Sequence, residues 1–594
     1  MHLQLIDWAI VIGYLAFALG VCLFYVRRAS RGTSEFFVSG RAAPWWLLGT
    51  SMVATTFSTD TPNLVTNIVR QDGVAGNWVW WAFLLTGMLT VFFYAKLWRR
   101  SGVMTDLEFY EIRYAGLSAA LVRCFRSIYL GLFFNCVIMA SVTLAAVKIA
   151  SILFGWSAGV TVIWCAVLAV AFSVTAGLWG VVVTDLVQFI MAMTGAFTAA
   201  YFATQHEAVG GLAGLFGKLD PKTLSLLPDF NNWEAALSVL IIPLTVQWWS
   251  VWYPGAEPGG GSYIAQRMLA AKDEKHSIGA TLWFNVAHYA LRPWPWIIVA
   301  LCSMLVYPTL EDIRTAFPNV DPTLIGNDIA YPAMLKFLPT GFLGIMAGSL
   351  VAAYISTIDT HLNWGASYLV HDLYQRFIRP RASEKHYVLV SRLVTAMLMV
   401  CAAVLVFFLE TAKDSFDLML SIGAGTGLIY LLRWFWWRIN AWSEIAAMIS
   451  SFSIAIGLFV ARKCGAPLST HITLAISVAA TTAVWVIVTF ATRPTNRETL
   501  VKFYRLIRPF GPGWKDIRKE TGLGPSPDSL SHAVLGWVFG CALVYAALFG
   551  AGSYLYGNIT LGTVFLAVFL ASAAGLAWLL TRILRESPGE PKDT

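Results

Sequence analysis

The amino-acid sequence predicts an all-α integral membrane protein, and three observations support this. Hydrophobic residues make up 58 % of the 594 residues, charged residues only 12 %, and the mean hydropathy is +0.66. A soluble domain carries about 25 % charged residues, so this chain has too few charged side chains to cover a surface in water. The apolar residues also fall in about fifteen stretches, each long enough for a membrane-spanning helix.

Composition and charge exclude several other classes of protein. The eight cysteines include no CxxC pair, so neither a disulfide framework nor a zinc site is indicated. The high apolar content argues against a disordered chain and a cytosolic enzyme. The net charge of +8 is typical of membrane proteins, whose cytoplasmic loops are rich in Lys and Arg. We therefore expect the lipid bilayer as a partner, no nucleic acid and no obligate protein partner.

Each apolar stretch is expected to be helical, because a helix satisfies all of its own backbone groups in lipid. The fifteen predicted spans, about twenty residues or more each, are residues 7–27, 44–70, 76–97, 123–154, 157–176, 181–206, 236–256, 280–307, 340–370, 387–410, 413–434, 441–462, 471–492, 531–553 and 559–582.

The distribution of Lys and Arg predicts the orientation in the membrane. The basic loops are residues 28–43, 98–122, 257–279, 371–386, 433–440 and 493–530, while 207–235 and 308–339 are poorer in basic residues. Placing the basic loops in the cytoplasm puts the N-terminus outside and the C-terminus inside. We expect the chain in the cell membrane, that is, the inner or plasma membrane.

The first polar segment within a predicted span is residues 54–63, ATTFSTDTPN. Pro62 has no N–H and its ring opposes the carbonyl of Ser58, so a broken helix is predicted. Such a break frees backbone carbonyls inside the membrane, where a bound cation can satisfy them. The alternative is a proline kink satisfied by neighbouring helices, which leaves Asp60 unexplained.

The second polar segment is residues 348–361, in the predicted span 340–370. Ala353, Ser356 and Thr357 share one helix face, and Asp359 and Thr360 extend it from Ser356 by one turn. Neutral hydroxyls with carbonyls suit a hard monovalent cation. The alternative for the hydroxyls alone is a helix-packing face. Asp359 on the same face favours an ion site.

The third polar segment, residues 177–188, brings Asp185 into an apolar span. An unpaired carboxylate within a membrane is costly and is functional by default. Its partner could be a cation bound together with Asp359 and Thr360. The alternative is an acid near the cytoplasmic end of its helix.

At these motifs the chain resembles the sodium:solute symporter family, which includes sodium/glucose, sodium/proline and sodium/sialate transporters. The resemblance covers most of residues 5–495, and a longer insertion at 252–261 departs from it. The matching residues are Phe36-Phe37-Val38-Ser39-Gly40-Arg41, the segment 54–63, Thr184-Asp185-Leu186-Val187-Gln188, Gln266-Arg267 with Ala270-Ala271-Lys272, Ser356-Thr357 and Asp372-Leu373-Tyr374.

The resemblance implies a leucine-transporter-like core of two inverted five-helix repeats with peripheral helices. The implied division is an N-terminal helix and link at 1–43, a first repeat at 44–206, an extracellular loop at 207–235, a second repeat at 236–434, peripheral helices at 435–492, a basic cytoplasmic linker at 493–530, and two C-terminal helices with a tail at 531–594.

The resemblance also implies ligand sets for Na⁺ and for the solute. A first sodium site would use carbonyls of Ala54, Phe57 and Ala353 with hydroxyls of Ser356 and Thr357. A second sodium site, present in some members, would use Asp185, Ser356, Asp359 and Thr360, with a carboxylate at 359 where a hydroxyl is usual. The solute would lie beside the break and contact Asp60, Thr61, Gln247, Trp248 and Trp252.

These observations predict a sodium-coupled symporter that imports a small polar organic solute by alternating access, and not an enzyme. One alternative is a solute sensor or channel on the same fold. Another is an integral-membrane enzyme, which would require acids and histidines clustered at one membrane surface. The acids that stand out here lie within predicted spans instead.

Overall fold

The structure is a computed structural model that describes residues 3–250, 257–409, 420, 422–423, 425–465 and 469–586. The described residues are overwhelmingly helical. An isolated parallel bridge between Ala43 and Ala271 is the one β pairing within these ranges. The predicted all-α class is confirmed.

The longer helices, together with the short helix α7, form the frame that positions the candidate site. In chain order they are α1 (Leu5–Ala29), α2 (Trp45–Thr55), α3 (Asp60–Asp72), α4 (Gly116–Ile128), α5 (Asn135–Leu153), α6 (Ala158–Thr204), α7 (Ser262–Ala270), α8 (Glu274–Val286), α9 (Pro293–Val306), α10 (Phe342–Ser367), α11 (Glu384–Leu405), α12 (Ala441–Lys463), α13 (Thr470–Ala491), α14 (Leu530–Leu555) and α15 (Ile559–Glu586).

Shorter helices and π-helical turns complete the described architecture. The π-helical turns, which often accompany functional sites, are Thr90–Tyr94, Tyr129–Phe134, Leu237–Ile241, Ala287–Leu291 and Tyr368–Ile378. The other short α-helices are Thr33–Val38, Trp78–Trp81, Leu84–Leu89, Ala95–Ser101, Phe109–Arg113, Gly211–Lys218, Pro221–Leu224, Trp233–Ala236, Ile242–Thr245, Leu310–Ala316, Ala330–Met334, Gly427–Leu432, Arg497–Ile507 and Lys515–Thr521.

Within the described ranges, 11 helical segments are long and apolar enough to cross a membrane. They match eleven of the fifteen predicted spans. The predicted spans 157–176 and 236–256 correspond to the shorter apolar helices Ala158–Ser173 and Trp233–Thr245. Span 44–70 is divided into α2 and α3, and part of span 413–434 lies outside the described residues. The chain is therefore a multi-pass membrane protein.

The outer surface of the long helices is apolar, as a membrane requires. Leu5 is 87 % exposed, Phe24 78 % and Phe408 76 %. Water would disfavour so many exposed apolar side chains, whereas lipid tails accommodate them. The polar residues of α2, α6 and α10 are instead buried in the protein interior.

The break predicted in residues 54–63 is confirmed. Helix α2 ends at Thr55, and α3 begins at Asp60. Pro62 lies in the first turn of α3, where its missing N–H removes no intrahelical hydrogen bond. The break therefore lies just before the proline, at residues 56–59.

A second interruption occurs in α6, at Gly177. Its φ of 55° and ψ of −167° belong to a region that essentially only glycine occupies. The kink separates the predicted spans 157–176 and 181–206. Beyond the kink, α6 packs against α2, α10 and α1, which places Asp185 among them.

Candidate ion and solute site

Asp185 lies at the crossing of α2, α6 and α10. Its carboxylate accepts two hydrogen bonds, from the Ser51 hydroxyl to Oδ2 at 2.5 Å and from the Ser356 hydroxyl to Oδ1 at 2.5 Å. Both hydroxyls and the carboxylate are buried. Asp185 therefore joins three helices in the protein interior.

Arg267 of α7 supplies a positive charge to the same cluster. Its Nε donates to the Ser51 hydroxyl at 3.3 Å, and its Nη2 donates to the Thr360 hydroxyl at 2.8 Å. Because Ser51 also donates to Asp185, its hydroxyl links the guanidinium to the carboxylate. Arg267 is fully buried, so the two charges compensate each other inside the protein.

The broken helix is attached directly to α10. The Thr357 hydroxyl donates to the backbone carbonyl of Thr55 at 2.9 Å. The hydroxyls of Thr55 and Thr360 lie 3.0 Å apart. Thr357 thus satisfies one of the carbonyls that the end of α2 leaves without a partner in its own helix.

The donor set of this cluster fits a hard monovalent cation. The residues of the predicted first sodium site, Ala54, Phe57, Ala353, Ser356 and Thr357, are all at most 3 % exposed. Oxygen ligands are the type that such cations prefer. The Ser356 and Thr357 hydroxyls are engaged in hydrogen bonds to Asp185 and Thr55, so cation binding would exchange those bonds for ion contacts.

The four residues of the predicted second sodium site are brought together only in part. Asp185 and Ser356 are hydrogen-bonded, and Thr360 contacts Arg267. Asp359 is buried on the same helix, and its Oδ1 has no hydrogen-bond partner among the described residues. This second site stays a prediction.

Asp60 lines a cavity of about 370 Å³ at the start of α3. Thr61 follows Asp60 in the chain, and its hydroxyl donates to the Thr56 carbonyl at 3.3 Å. The other polar lining residues come from α3, from α5 and from the segment before α10; they are Asn63, Asn67, Gln71, Lys148, Thr323, Asn327 and Asp328.

Two further residues predicted to contact the solute lie elsewhere. The Gln247 side chain donates from Nε2 to the Val79 carbonyl at 2.6 Å. The Trp248 ring packs against Trp249 and Trp537, with centroids 5.3 Å and 6.4 Å away. Neither residue lines the Asp60 cavity. Trp252 lies outside the described residues, so these three assignments stay predictions.

A second cation, Arg292, faces the break from the position immediately before α9. Its Nη1 donates to the Thr56 hydroxyl at 3.2 Å, and its Nη2 lies 2.6 Å from Nδ1 of His288. Arg292 is 1 % exposed and interacts electrostatically with Asp60. The break is therefore flanked by a carboxylate and a guanidinium on neighbouring elements.

Sequence reasoning missed Arg292, Arg267 and Ser51 as members of the site. Arg292 lies within the apolar span 280–307, so the rule that singled out Asp185 would have found it. Ser51 lies four residues before Thr55, on the same helix face. Arg267 was noted only as part of a matching motif, and nothing in the sequence placed it beside Asp185.

Comparison with known proteins identifies the family of the chain. The profile of the sodium:solute symporter family matches residues 36–451. The sodium/glucose cotransporter of Vibrio parahaemolyticus is 25 % identical over 479 residues, which cover 77 % of this chain and 85 % of the relative. The human sodium/myo-inositol cotransporter 2 is 25 % identical over 499 residues, covering 78 % and 71 % of the two chains.

The fold is similar to that of a solved membrane transporter. A Na⁺-coupled sialic acid symporter, in a substrate-bound outward-open state, superimposes with a TM-score of 0.65 at 20 % identity, over 83 % of this chain and 99 % of the other. The family and these relatives are transporters and not enzymes, as the sequence predicted. Because the profile matches most of its length, the chain belongs to the sodium:solute symporter family.

Proposed function

We propose that this chain is a sodium-coupled symporter that imports a small polar organic solute by alternating access. The observation that supports this best is the buried polar cluster in which Ser356 and Thr357 of α10 meet the broken end of α2. A cluster of hydroxyl, carbonyl and carboxylate oxygens at a helix break is a site that a sodium ion can enter. The family membership supports the same function.

Sodium would bind between α2 and α10. The proposed ligands are the carbonyls of Ala54, Phe57 and Ala353 and the hydroxyls of Ser356 and Thr357. The ion would replace the hydrogen bond from Thr357 to the Thr55 carbonyl, and so hold the two helices together through its own contacts. A second ion would use Asp185, Ser356, Asp359 and Thr360, in competition with Arg267 for the carboxylate of Asp185.

The solute would bind beside the break, near Asp60 and Thr61. Asp60 can accept hydrogen bonds, and Arg292 on the opposite side can donate them. The relatives named for glucose and for myo-inositol support a solute with several hydroxyl groups. Gln247 and Trp248 would contact the solute only after their segment moves toward the break, and Trp252 remains a proposed contact.

The proposed architecture is two inverted repeats, at residues 44–206 and 236–434, preceded by α1 and followed by peripheral helices. The N-terminus would face the outside and the C-terminus the cytoplasm of the cell membrane. Two observations support the proposed repeat architecture. Helix α2–α3 is broken at the start of the proposed first repeat, and the fold is similar to that of the sialic acid symporter.

Coupling requires that sodium stabilise the outward-facing form more than the inward-facing form, because a ligand shifts an equilibrium only by its differential affinity. One charge crossing about 100 mV releases about 2.3 kcal/mol, and a tenfold sodium gradient adds about 1.4 kcal/mol. One ion therefore supports a solute gradient of roughly a few hundredfold, and two ions would square it.

Uptake into sealed vesicles tests this function. Purified protein in proteoliposomes is given radiolabelled D-glucose or myo-inositol with an inward sodium gradient or an equal potassium gradient. We expect sodium to accelerate uptake of at least one probe more than fivefold, and Thr357→Ala to remove the acceleration. Equal uptake in sodium and potassium would contradict sodium coupling.

A further inference from the structure

We propose that the C-terminal end of α1 and the N-terminal end of α11 together bind an anionic phospholipid, whose headgroup is held by arginine and lysine side chains. The segments 27–35 and 376–392, which include these two helix ends, carry eight Lys and Arg residues but only two glutamates. Such a lipid site is separate from the ion and solute site and does not depend on sodium coupling. The cations that form it, called the basic rim, are Arg27, Arg31, Arg379, Arg381, Lys385 and Arg392.

Two hydrogen bonds hold the two segments side by side. The Thr33 N–H donates to Oε2 of Glu384 at 3.0 Å, and Nη2 of Arg392 donates to the Ser30 hydroxyl at 3.0 Å. The cations of both segments therefore lie next to each other at one end of the molecule, although the segments are remote in sequence.

The loop that carries Arg379 and Arg381 is fixed by Tyr387. The Tyr387 hydroxyl donates to the Arg379 carbonyl at 2.7 Å and accepts a hydrogen bond from the Ala382 N–H at 2.9 Å. The Tyr387 side chain is 1 % exposed, so this anchor is inside the protein. The two arginines are exposed but extend from a backbone that is held in place, as a binding site requires.

The nearby carboxylates do not neutralise the basic rim. Glu35 pairs with Arg28 at 2.9 Å, and Glu384 accepts the hydrogen bond from Thr33. Among the described residues no cation of the basic rim has an ion pair, and Nε of the partly buried Arg392 has no hydrogen-bond partner. A partly buried guanidinium is costly without a nearby anion, so these cations favour a negatively charged ligand.

The linker 493–530 is also basic, but its cations are balanced differently. Lys502 pairs with Glu498 at 2.6 Å, and Arg497 lies 3.5 Å from Glu520. Exposed cations with carboxylate partners have less need of an external anion. The linker therefore supplies a control for the basic rim.

Exposed apolar side chains place the basic rim at the boundary between lipid and water. On α1, Phe24 is 78 % exposed, and Arg27 follows about one turn later. On α11, Leu389 is 55 % exposed, and Lys385 precedes it by about one turn. Because a helical turn is only about 5.4 Å long, the cations lie just beyond the apolar surface, at the level of lipid headgroups.

Apolar residues beside the basic rim favour a lipid over a soluble anion. Ile378 is 64 % exposed within the basic loop, and Leu393, which follows Arg392 on α11, is 63 % exposed. Acyl chains can cover these side chains while the lipid phosphate accepts hydrogen bonds from the arginines. Several cations around one phosphate favour a headgroup with a net negative charge over a zwitterionic one.

Competition between lipids tests this site. The purified full-length protein, in neutral detergent with potassium chloride, is mixed with a dansyl-labelled phosphatidylglycerol that is excited by energy transfer from the tryptophans. Unlabelled phosphatidylglycerol, phosphatidylcholine and inorganic phosphate are then added as competitors. We expect phosphatidylglycerol to displace the probe at a concentration at least fivefold lower than phosphatidylcholine, and millimolar inorganic phosphate to leave it bound.

Two sets of substitutions locate the site. Combining Arg379→Gln, Arg381→Gln and Lys385→Gln removes three exposed cations and is expected to reduce the preference for phosphatidylglycerol at least threefold. Combining Arg27→Gln and Arg31→Gln removes the exposed cations of the α1 side and should act in the same direction. This second variant keeps the test valid if the first does not fold.

The matched control combines Arg497→Gln and Lys502→Gln in the linker, and it should keep the preference of the wild type. The lipid site is overturned if phosphatidylcholine or inorganic phosphate displaces the probe as readily as phosphatidylglycerol. It is equally overturned if both variants of the basic rim keep the wild-type preference, or if the linker variant loses as much of it. Because sodium is absent throughout, these outcomes are independent of the proposed function.

Discussion

At the scale of single residues, Asp185 organises the candidate ion site. Its carboxylate accepts hydrogen bonds from the hydroxyls of Ser51 on α2 and Ser356 on α10, and Ser51 links it to the Arg267 guanidinium. A buried carboxylate is costly unless it is hydrogen-bonded and its charge is compensated; here two hydroxyls donate to it, and the Arg267 guanidinium lies one hydroxyl away. Under the proposed function, a second sodium ion and Arg267 would compete for this one negative charge.

Substitution of Asp185 by Asn tests this competition. The amide keeps the shape of the side chain but removes the negative charge, so we expect sodium affinity to fall at least tenfold or the number of bound sodium ions to decrease. Equilibrium binding of radioactive sodium to the purified protein measures both quantities.

Asp7→Asn is the matched control for this measurement. Asp7 is also buried, but it lies at the start of α1 and accepts hydrogen bonds from the Gly341 and Gly344 backbone. Its substitution should lower stability without changing sodium affinity. An Asp185→Asn protein with unchanged affinity and stoichiometry would remove Asp185 from the ion site.

Much of the site could be predicted at this scale, because polar residues within apolar spans are conspicuous. The hydroxyls at 356 and 357 and the acids at 60 and 185 are found in this way. The pairing of Arg267 with the Asp185 cluster could not be predicted, since the two residues lie far apart in sequence.

At the scale of elements, two interrupted helices create the site. The α2–α3 break frees backbone carbonyls, and α6, kinked at Gly177, carries Asp185 against Ser51 of α2. The sequence predicted the first interruption from Pro62 and the neighbouring hydroxyls. The kink in α6 was predicted only as a boundary between two spans, because glycine alone does not distinguish a kink from a loop.

Gly177→Ala is expected to destabilise the folded protein. The position has a φ of 55° and a ψ of −167°, and a side chain there costs about 1–3 kcal/mol. The apparent Tm in detergent should therefore fall, and sodium affinity should fall with it because Asp185 is displaced.

Gly159→Ala is the control for this substitution. Gly159 lies in the first turn of the same helix, and an added Cβ would meet no atom within 4 Å. Alanine there should leave the Tm unchanged or raise it slightly. If Gly177→Ala were as stable as Gly159→Ala, the kink would not be fixed by the backbone of Gly177.

At the scale of the whole molecule, the cavity and a network of ion pairs lie at opposite ends of the helices. Arg123 of α4 contacts Glu111 at 2.5 Å and Asp372 at 2.7 Å. Glu108 accepts a hydrogen bond from the Met104 backbone at 2.6 Å and lies 2.5 Å from Nε2 of His371. This network joins the loops predicted to face the cytoplasm, and under the proposed function it would have to open for solute release.

Glu108 predicts how this network depends on pH. Burial alone would raise the pKa of its carboxyl, but His371, the Met104 N–H and Arg123 lower that pKa to about 2, below the usual 4.5. A carboxyl with a lowered pKa stabilises the fold above pH 4.5, and this contribution is lost as the pH falls toward 2.

We therefore expect Glu108→Gln to lower the Tm at pH 6 and to flatten the decline of Tm between pH 4.5 and the lowest pH at which the protein stays soluble. Glu207→Gln changes an exposed glutamate elsewhere and should leave the curve as it is in the wild type. An unchanged curve for Glu108→Gln would show that the network does not hold the two loops together.

Binding of sodium to the purified full-length protein in the absence of solute tests the central claim most directly. Thermal unfolding is followed in sodium chloride and in potassium chloride for the wild type, for Ser356→Ala and Thr357→Ala, and for Ser349→Ala. Among the described residues the Ser349 hydroxyl bonds to Met346 of its own helix α10, so Ser349→Ala is the matched control. We predict that sodium stabilises the wild type and Ser349→Ala, by about 2.7 kcal/mol at a hundred times the Kd, but neither of the other two variants. Equal stabilisation of all four proteins, or none in the wild type, would contradict a sodium site between α10 and the broken helix.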